Sequence, residues 1–325
     1  MDFKNIKFNL QRFAHNSIID RSGAQSLMPE DVSREIVKNV PKNSVVMQFA
    51  TKAQNMSRKQ KRIPVLNTLP MAYFVNGDIG LKKTTDVEWG NKYFNAEEIA
   101  CIVPIPEAVL EDSDYDIWGE IRPLIEEAMG VVFDSAVLFG TNSPAVWPDS
   151  LLTSATNAGN AVALGTGVDL YDDLLGTDGV ISTLEDDGFM ATGHIATMGM
   201  RGRYRSLRAA DGTPIFKTSV QGATNYELDG SPVSFPENGV MDASQALQFS
   251  GDFRKVVYTM RQDISYKILD QAIIQDSAGN IVYNLPQQDM VALRAVMRLA
   301  WQVPNPINRI EQDEADRFPV AVLTP

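Results

Sequence analysis

Cysteine is nearly absent. Cys101 is the single one in 325 residues, so no intrachain disulfide, cysteine-based zinc site or CxxC redox pair can form. Histidine is almost as scarce, with His15 and His194 alone, which leaves little material for a multi-histidine metal centre or histidine-dependent catalysis. No window supplies the ~18 apolar residues of a spanning helix. The opening stretch 1–14 is basic and amphipathic but lacks the unbroken apolar core of an export signal. A soluble, reducing environment without membrane contact is therefore expected. No GxxxxGK[ST] loop is present and no GxGxxG follows a strand; Gly199-Met200-Arg201-Gly202 is too short for either and reads as turn chemistry. No cofactor and no metal are expected.

Basic residues are outnumbered, 29 against 41 acidic, for a formal charge of −12. That balance argues against a dedicated duplex-DNA reader, which would carry a strongly basic domain. Hydrophobic residues at 44% and charged residues at 22% are globular values and exclude wholesale disorder. The length suits two ordinary domains or one elongated body with insertions. The acid pairs Glu126/Glu127 and Asp186/Asp187 read as solvated helix faces. His194, in the strand-like Gly193-His194-Ile195-Ala196, has no nucleophile-elbow motif near it and reads as a satisfied or exposed histidine. Cys101, in the apolar run Ile99–Val103, reads as an inert buried thiol.

Residues 1–57 read as an arm with one helix. Pro29-Glu30-Asp31 opens it, Val32, Ile36, Val37 and Val40 share a face, and Pro41 closes it. A basic cluster without intervening acids follows: Lys52, Arg58, Lys59, Lys61 and Arg62. Two β-prone arms, Ile63–Val75 and Val87–Val103, then flank a polar tip with Asn76–Gly80, Lys82 and Lys83. This predicts a long hairpin, with Pro64 and Pro70 suited to an exposed ribbon. The clearest helix is expected to begin near Ser113 or Asp114, with Ser113-x-x-Asp116 as a capping box. Ile117, Trp118, Ile121, Leu124, Ile125, Ala128, Met129, Val132, Ala136 and Phe139 carry it to Gly140. Pro123 is expected to kink it or to mark a short preceding turn.

Residues 141–168, rich in Gly, Asn, Ser, Thr and Ala, read as a loop. An acidic helical stretch (169–187) and a basic one with Arg201, Arg203, Arg205 and Arg208 come next. Strand-like runs follow at Pro214–Phe216, Leu228–Val233 and Phe235–Gly239. From Phe253 the pattern is β: Val256–Met260, Ile264–Ile268 and Met290–Leu299, with a hairpin turn at Asp276–Asn280. No fixed-period repeat is present.

Charge is segregated. Residues 107–134 hold nine acids against one base, Arg122, while the ribbon and residues 201–208 are basic. Solvated faces alone are one reading of this. The alternative is self-complementarity, in which the basic ribbon of one copy (Arg58, Lys59, Lys61, Arg62, Lys82, Lys83) lies over an acidic face of the next (Glu111, Asp112, Asp116, Glu120, Glu126, Glu127). An arm, a protruding ribbon and a long helix bury themselves poorly in a monomer. Together they point to another copy of the same chain as partner.

In this order the pieces resemble the major capsid proteins of tailed bacteriophages with the HK97-type fold. Phe133-Asp134-Ser135-Ala136-Val137-Leu138-Phe139-Gly140 is similar to the family's D-x-A-x-x-x-G. Leu207–Gly212 resembles its L-x-D-x-x-G-type turn, Leu228–Val233 its L-x-G-x-P-V strand entry, and Ser250-Gly251-Asp252-Phe253 its G-D-F. The resemblance covers roughly residues 30–310. It implies an α+β capsid fold with an N-terminal arm (1–57), an extended β-hairpin loop (58–98), a peripheral domain (99–165 and 249–325) with a spine helix at 114–140, and an axial domain (166–248).

The function so implied is structural: hexamers and pentamers close an icosahedral shell around double-stranded DNA, which is touched non-specifically. Assembly would occur in the host bacterial cytoplasm, with the product in the virion. An encapsulin-like compartment around protein cargo is the alternative that shares the fold. The long helical extension of the family's best-known member is missing ahead of the arm, so a separate scaffolding protein is expected, with a portal as a further partner. Some members cross-link a loop lysine to an asparagine. Lys82 and Lys83 sit at the tip, but no acceptor or catalytic acid matches, so a non-covalent shell is expected. Phe8–Ala14 resembles openings of other phage head proteins.

Overall fold

The computed structural model describes residues 44–75, 81–113, 116–208, 212 and 226–325. The chain divides into two units, Met1–Val40 and Pro41–Pro325. The first, with the helix expected from Pro29, lies outside the described residues, as do the tip Asn76–Gly80, Asp114, the turn residues Ala209–Asp211 and the run Pro214–Phe216.

In chain order the described elements are α1 (Val45–Phe49), β1 (Thr51–Lys52), β2 (Gln60–Leu66), β3 (Trp89–Asn95), β4 (Glu97–Pro106), α2 (Glu107–Asp112) and α3 (Ile117–Phe139). Next come α4 (Leu151–Asn157), β5 (Ala161–Ala163), α5 (Leu170–Leu175), α6 (Val180–Asp186), β6 (Gly193–Ala196) and α7 (Met198–Ser206). Strands dominate the remainder: β7 (Glu227–Leu228), β8 (Ser231–Ser234), β9 (Gln248–Gly251), β10 (Val257–Leu269), β11 (Ile273–Gln275), β12 (Ile281–Asn284), β13 (Met290–Gln302) and β14 (Val320–Thr324). The fold is mixed α+β.

Helix α3 is 23 residues long, about 35 Å at 1.5 Å per residue. Asp116 caps it, its side chain accepting from the Gly119 N–H at 3.1 Å. Gly140 ends it with φ 73°, a left-handed conformation that glycine adopts without a Cβ clash. The expected start at Ser113 is corrected. Ser113 closes the separate helix α2, and Asp116 is itself the cap. Pro123 lies inside α3, and the helix runs on through it. Its missing hydrogen bond falls on the carbonyl of Gly119, in the first turn, where one lost bond disturbs the ladder least.

A four-stranded sheet, ordered β1-β10-β13-β4, packs against α3. Strands β10 and β13 pair antiparallel from Val257↔Gln302 to Leu269↔Ala292, with register shifts between Met260 and Ser265. Strand β4 is an edge, which tolerates Pro104 and Pro106 because an edge strand can turn its N–H side to solvent. Leu293, Ala295, Met297, Leu299 and Trp301 alternate along β13 and meet Ile125, Met129, Phe133 and Val137 of α3 in one core. The opposite face of β13 gives Ala300 to a small core with Met56, Phe94 and Ala96, which fixes the ribbon base to the sheet.

The second sheet is six-stranded, ordered β5-β14-β9-β6-β8-β7. Strand β14 shows the alternation that sets its two faces. Val320 and Val322 enter the core of α3, whereas Ala321 and Leu323 enter a second core with Leu174, Val180, Ile181, Leu184, Met200 and Tyr204 of α5, α6 and α7. The segment between β13 and β14 is strapped by buried Arg317. Its Nε donates to Asn305 Oδ1 at 3.2 Å, Nη1 to the Glu311 carbonyl at 2.8 Å and Nη2 to the Asn305 carbonyl at 3.2 Å.

Three further expectations are corrected. Residues 141–168 contain α4 and β5: Ser150 caps α4 by accepting from the Thr153 N–H at 3.2 Å, and buried Leu151 and Ala155 override the loop-like composition. Phe235–Gly239 is a bend, with Gly239 at φ 74° after Pro236. The hairpin ladder spans only Gln60↔Asn95 to Leu66↔Trp89, since Asn67, Thr68 and Pro70 break the apolar alternation and Pro70 cannot donate.

Candidate assembly surfaces

Beyond the ladder, the loop arms are joined by side chains. The Met71 N–H donates to Thr85 Oγ1 at 3.0 Å, the Tyr73 hydroxyl donates to the Lys83 carbonyl, and Lys83 Nζ sits 5.8 Å above the Tyr73 ring. Arg309 Nη2 donates to the Pro70 carbonyl at 3.0 Å, tying the loop to the segment before β14. Arg58, Lys59, Arg62, Lys82 and Lys83 are exposed, and Lys61 is half-buried. Two of these bases are used within the chain: Lys59 pairs with Glu97 at 3.2 Å and Lys61 Nζ donates to the Gln54 carbonyl at 3.0 Å.

The six acids do not form one face. Glu111 and Asp112 lie on α2, while Asp116, Glu120 and Glu127 follow one line along α3 at helical spacing. Glu126 points elsewhere and accepts from the Tyr266 hydroxyl at 2.8 Å, whose ring lies 5.4 Å beneath the Arg122 guanidinium. Beside the acid line runs an apolar stripe, Leu124, Ala128 and Val132, exposed at i, i+4 and i+8. The helical spacing of these three identified the helix without saying which of its apolar positions would be covered. Apolar positions run more than halfway round α3, and a single core cannot cover them all.

The larger omission is in the loop. Phe74 and Leu81 are 103% and 92% exposed, as open as in an unfolded chain, and Met71 and Trp89 are 71% and 68% exposed. Large apolar side chains left this exposed along one loop are what a protein contact would cover. The β-prone pattern placed Met71, Phe74 and Trp89 in the two arms but could not say which side would be left without a neighbour.

The buried polar groups build the fold. Asp134 of α3 is fully buried and accepts from Ser44 Oγ at 2.5 Å, the Val45 N–H at 2.8 Å and the Val46 N–H at 3.2 Å. Burial raises its pKa to about 6, against the lowering effect of those three donors. Gly130, one turn earlier, lets Ser44 approach: a Cβ there would stand 3.3 Å from its backbone nitrogen. A second network crosses the six-stranded sheet. Tyr204 donates to Gln248 Oε1, Gln248 Nε2 to Ser250 Oγ at 2.8 Å, and Ser250 to His194 Nδ1 at 2.9 Å. His194 Nε2 donates to the Leu228 carbonyl at 3.0 Å. Burial lowers the His194 pKa to about 4 and fixes the neutral ring. This serine–histidine pair is sealed from solvent and spends both ring nitrogens on structure.

Asp187 is corrected from a solvated acid to a buried one. It accepts from Asn160 Nδ2 at 2.6 Å and from the Phe318 N–H at 3.0 Å, and burial raises its pKa. Cys101 is half-buried rather than buried. A cleft of about 400 Å³ is lined by Lys92, Asp149, Asn157, Glu314 and Arg317; Lys92 and Glu314 pair with each other across it. Among the described residues no three His, Cys, Asp or Glu side chains could hold a metal ion, and no helix is long and apolar enough to cross a membrane.

A family model described as the phage capsid family matches residues 24–309. The chain is 27% identical over 312 residues to the major capsid protein of Staphylococcus phage 80alpha, covering 92% of this chain and 91% of that one. It is 24% identical over 282 residues to the probable major capsid protein gp17 of Mycobacterium phage D29, covering 85% and 86%. A solved structure from Microbacterium phage Oxtober96 superposes with a TM-score of 0.83 at 35% identity, over 95% of this chain and all of that one (100%). The capsid of a native GTA particle shares the fold, with a TM-score of 0.68 at 17% identity over 95% and 98% of the two chains.

Proposed function

The chain belongs to the phage capsid family and is a major capsid protein, a shell component of the virion; from that premise we propose that its copies form hexamers and pentamers that close an icosahedral shell around double-stranded DNA. The observation that carries the proposal is the loop, whose Phe74 and Leu81 stand as exposed as in an unfolded chain. Burying such side chains against a neighbour contributes about 1.5–3 kcal/mol each, and repetition round a closed lattice multiplies modest contacts.

In this reading the loop of one copy lies on α3 of the next. The stripe Leu124, Ala128 and Val132 receives the apolar side chains, and Asp116, Glu120 and Glu127 beside it face the loop's bases. Arg58, Arg62, Lys82 and Lys83 remain the candidate donors, with Glu111 and Asp112 at the rim. Lys59 and Lys61 serve the ribbon base. The division into arm (1–57), loop (58–98), peripheral domain (99–165 and 249–325) and axial domain (166–248) is part of this reading, and the second core beneath α5, α6 and α7 supports its axial part. The protein works mechanically rather than catalytically. It assembles in the host cytoplasm with a separate scaffolding protein and a portal, and touches packaged DNA without reading it.

The test is assembly of purified protein, followed by sedimentation and negative-stain microscopy. Closed particles are expected from the wild type and none from Phe74→Ser/Leu81→Ser. Compact monomers under all assembly conditions would overturn the proposal. Particles from the native source that hold protein cargo in place of DNA would favour the encapsulin-like alternative.

A further inference from the structure

Between β13 and β14 the chain crosses residues 303–319 without regular secondary structure, yet the stretch is closed on itself. Asn305 and Arg317, both buried, clasp each other. Asn305 Nδ2 donates to the Arg317 carbonyl at 2.7 Å, and Arg317 donates from Nε to Asn305 Oδ1 and from Nη2 to the Asn305 carbonyl, both at 3.2 Å. A surface segment of this length whose ends meet is an Ω-loop. Asn305 holds φ 44° directly ahead of Pro306, where a residue is normally pushed to the extended region. Such a conformation persists only where its surroundings over-determine it, and the clasp with Arg317 does so.

Consecutive residues of this Ω-loop reach alternately to two sides. Toward the extended loop, the Ile307 N–H donates to the Leu66 carbonyl at 3.2 Å and Arg309 Nη2 to the Pro70 carbonyl at 3.0 Å. Toward the end of α6, Asn308 Nδ2 donates to the carbonyl of its C-cap, Asp187, at 2.6 Å. Ile310 lies over Gly188, whose φ of 82° and missing Cβ leave it room: a Cβ there would stand 2.9 Å from Ile310 Cδ1. Asn308 Oδ1 also accepts from the Ile310 and Glu311 N–H groups at 3.0 and 2.8 Å, which fixes the turn between the two sides. Leu66 ends β2 and the ladder. Beyond it, among the described residues of 67–75 and 81–88, the Pro70 carbonyl makes the one hydrogen bond to the body of the chain; the others run between the two arms.

Accepting that the extended loop is an assembly surface, we infer that residues 305–317 are a brace that sets the pose of that loop against α6, with Asn308 and Arg309 as its positioning residues. A loop already held in one pose has less conformational freedom to lose when it docks on a neighbour. Because the brace grips both sides, the loop and the end of α6 shift together. Coupling of this kind is reciprocal, so loosening either contact is felt at the other.

The test is amide hydrogen exchange on dilute, unassembled full-length subunits, with the critical concentration for assembly as a second reading. Arg309→Met removes the donor to Pro70 and keeps a long side chain. Asn308→Asp keeps the acceptor for Ile310 and Glu311 but cannot donate to the Asp187 carbonyl. Arg309→Met is expected to speed exchange by about threefold or more at Asn67 and Thr68, and also at Gly188 and Phe189, whose amides bond back to α6. Asn308→Asp is expected to do the same at both places. Each should raise the critical concentration by about threefold or more, and Arg309→Lys, which can still donate, should restore both readings. The inference fails if either variant leaves exchange at the far contact unchanged, since the two contacts would then be independent. It also fails if exchange rises at both places and the critical concentration does not move. Should Asn308→Asp melt early, Arg309→Met, at an exposed position, decides alone. A wild type that does not assemble would sink the shell reading, and exchange at the far contact would still decide the brace.

Discussion

Substituting Asp134 and His194 should expose two opposed pH dependences that nearly cancel in the wild type. Burial raises the Asp134 carboxyl from its ordinary 3.8 to about 6. Between those values the folded protein binds a proton that the unfolded chain does not, so this group's contribution grows as pH falls through 6 and is lost as pH rises. At 1.36 kcal/mol per tenfold, the change from pH 7 to pH 4 is about 2–3 kcal/mol in favour of folding. His194 runs the other way. Burial lowers it from 6.5 to about 4, so the unfolded chain takes up the proton first. Stability that is full above pH 6.5 is lost towards pH 4, again by about 2–3 kcal/mol.

In Asp134→Asn the carboxamide can still accept from Ser44 and the Val46 N–H, but its nitrogen faces the Val45 N–H donor. One orphaned donor costs about 1–3 kcal/mol at pH 7. The wild type's advantage over this variant should then widen by about 2–3 kcal/mol on going to pH 4. His194→Gln keeps one donor and one acceptor, and the wild type's advantage over it should shrink by the same amount over the same range. Urea unfolding of dilute, unassembled subunits at pH 4, 5, 6 and 7 measures both. Curves for wild type and Asp134→Asn that stay parallel within about 0.5 kcal/mol would refute the account of Asp134.

Three further outcomes are expected. Phe74→Ser/Leu81→Ser should leave subunit stability within about 0.5 kcal/mol of the wild type, read by urea unfolding, while abolishing particles. Among the described residues the buried Trp301 Nε1 has no hydrogen-bond partner, so Trp301→Phe should cost under about 1 kcal/mol because it also removes an orphaned donor; Phe133→Ala, in the same core, should cost about 3–5 kcal/mol. Arg317→Met should expose residues 303–319 to limited proteolysis and cost about 3 kcal/mol or more, because several carbonyls lose a buried, charged donor together.

The long elements were legible in the sequence because they repeat. Helix α3, the ribbon and strands β10 and β13 announce themselves by period, and Gly140 and the Asp276–Asn280 turn by local chemistry. What escaped depends on neighbours distant in sequence. Asp187 looks like half of a solvated acid pair until Asn160 and Phe318 close over it, and α4 looks like a loop until Leu151 and Ala155 find a core. For the assembly surfaces, charge singled out Lys59 and Lys61 as contacts to a neighbour, but within the fold Lys59 pairs with Glu97 and Lys61 with the Gln54 carbonyl. The exposure of Phe74, Leu81, Leu124 and Val132 could not be read from alternation, which tells two faces apart without saying which has company.

The position of β14 has a consequence for synthesis. This strand lies between β5 and β9, pairing Val322 with Ala161 on one side and Phe249 on the other. Its partners leave the ribosome long before it does. Until it arrives, a nascent chain holds two unsatisfied strand edges, and the platform under α5, α6 and α7 stays open. A chain stalled before Val320 would present these open edges to chaperones and lack the finished platform of a building block.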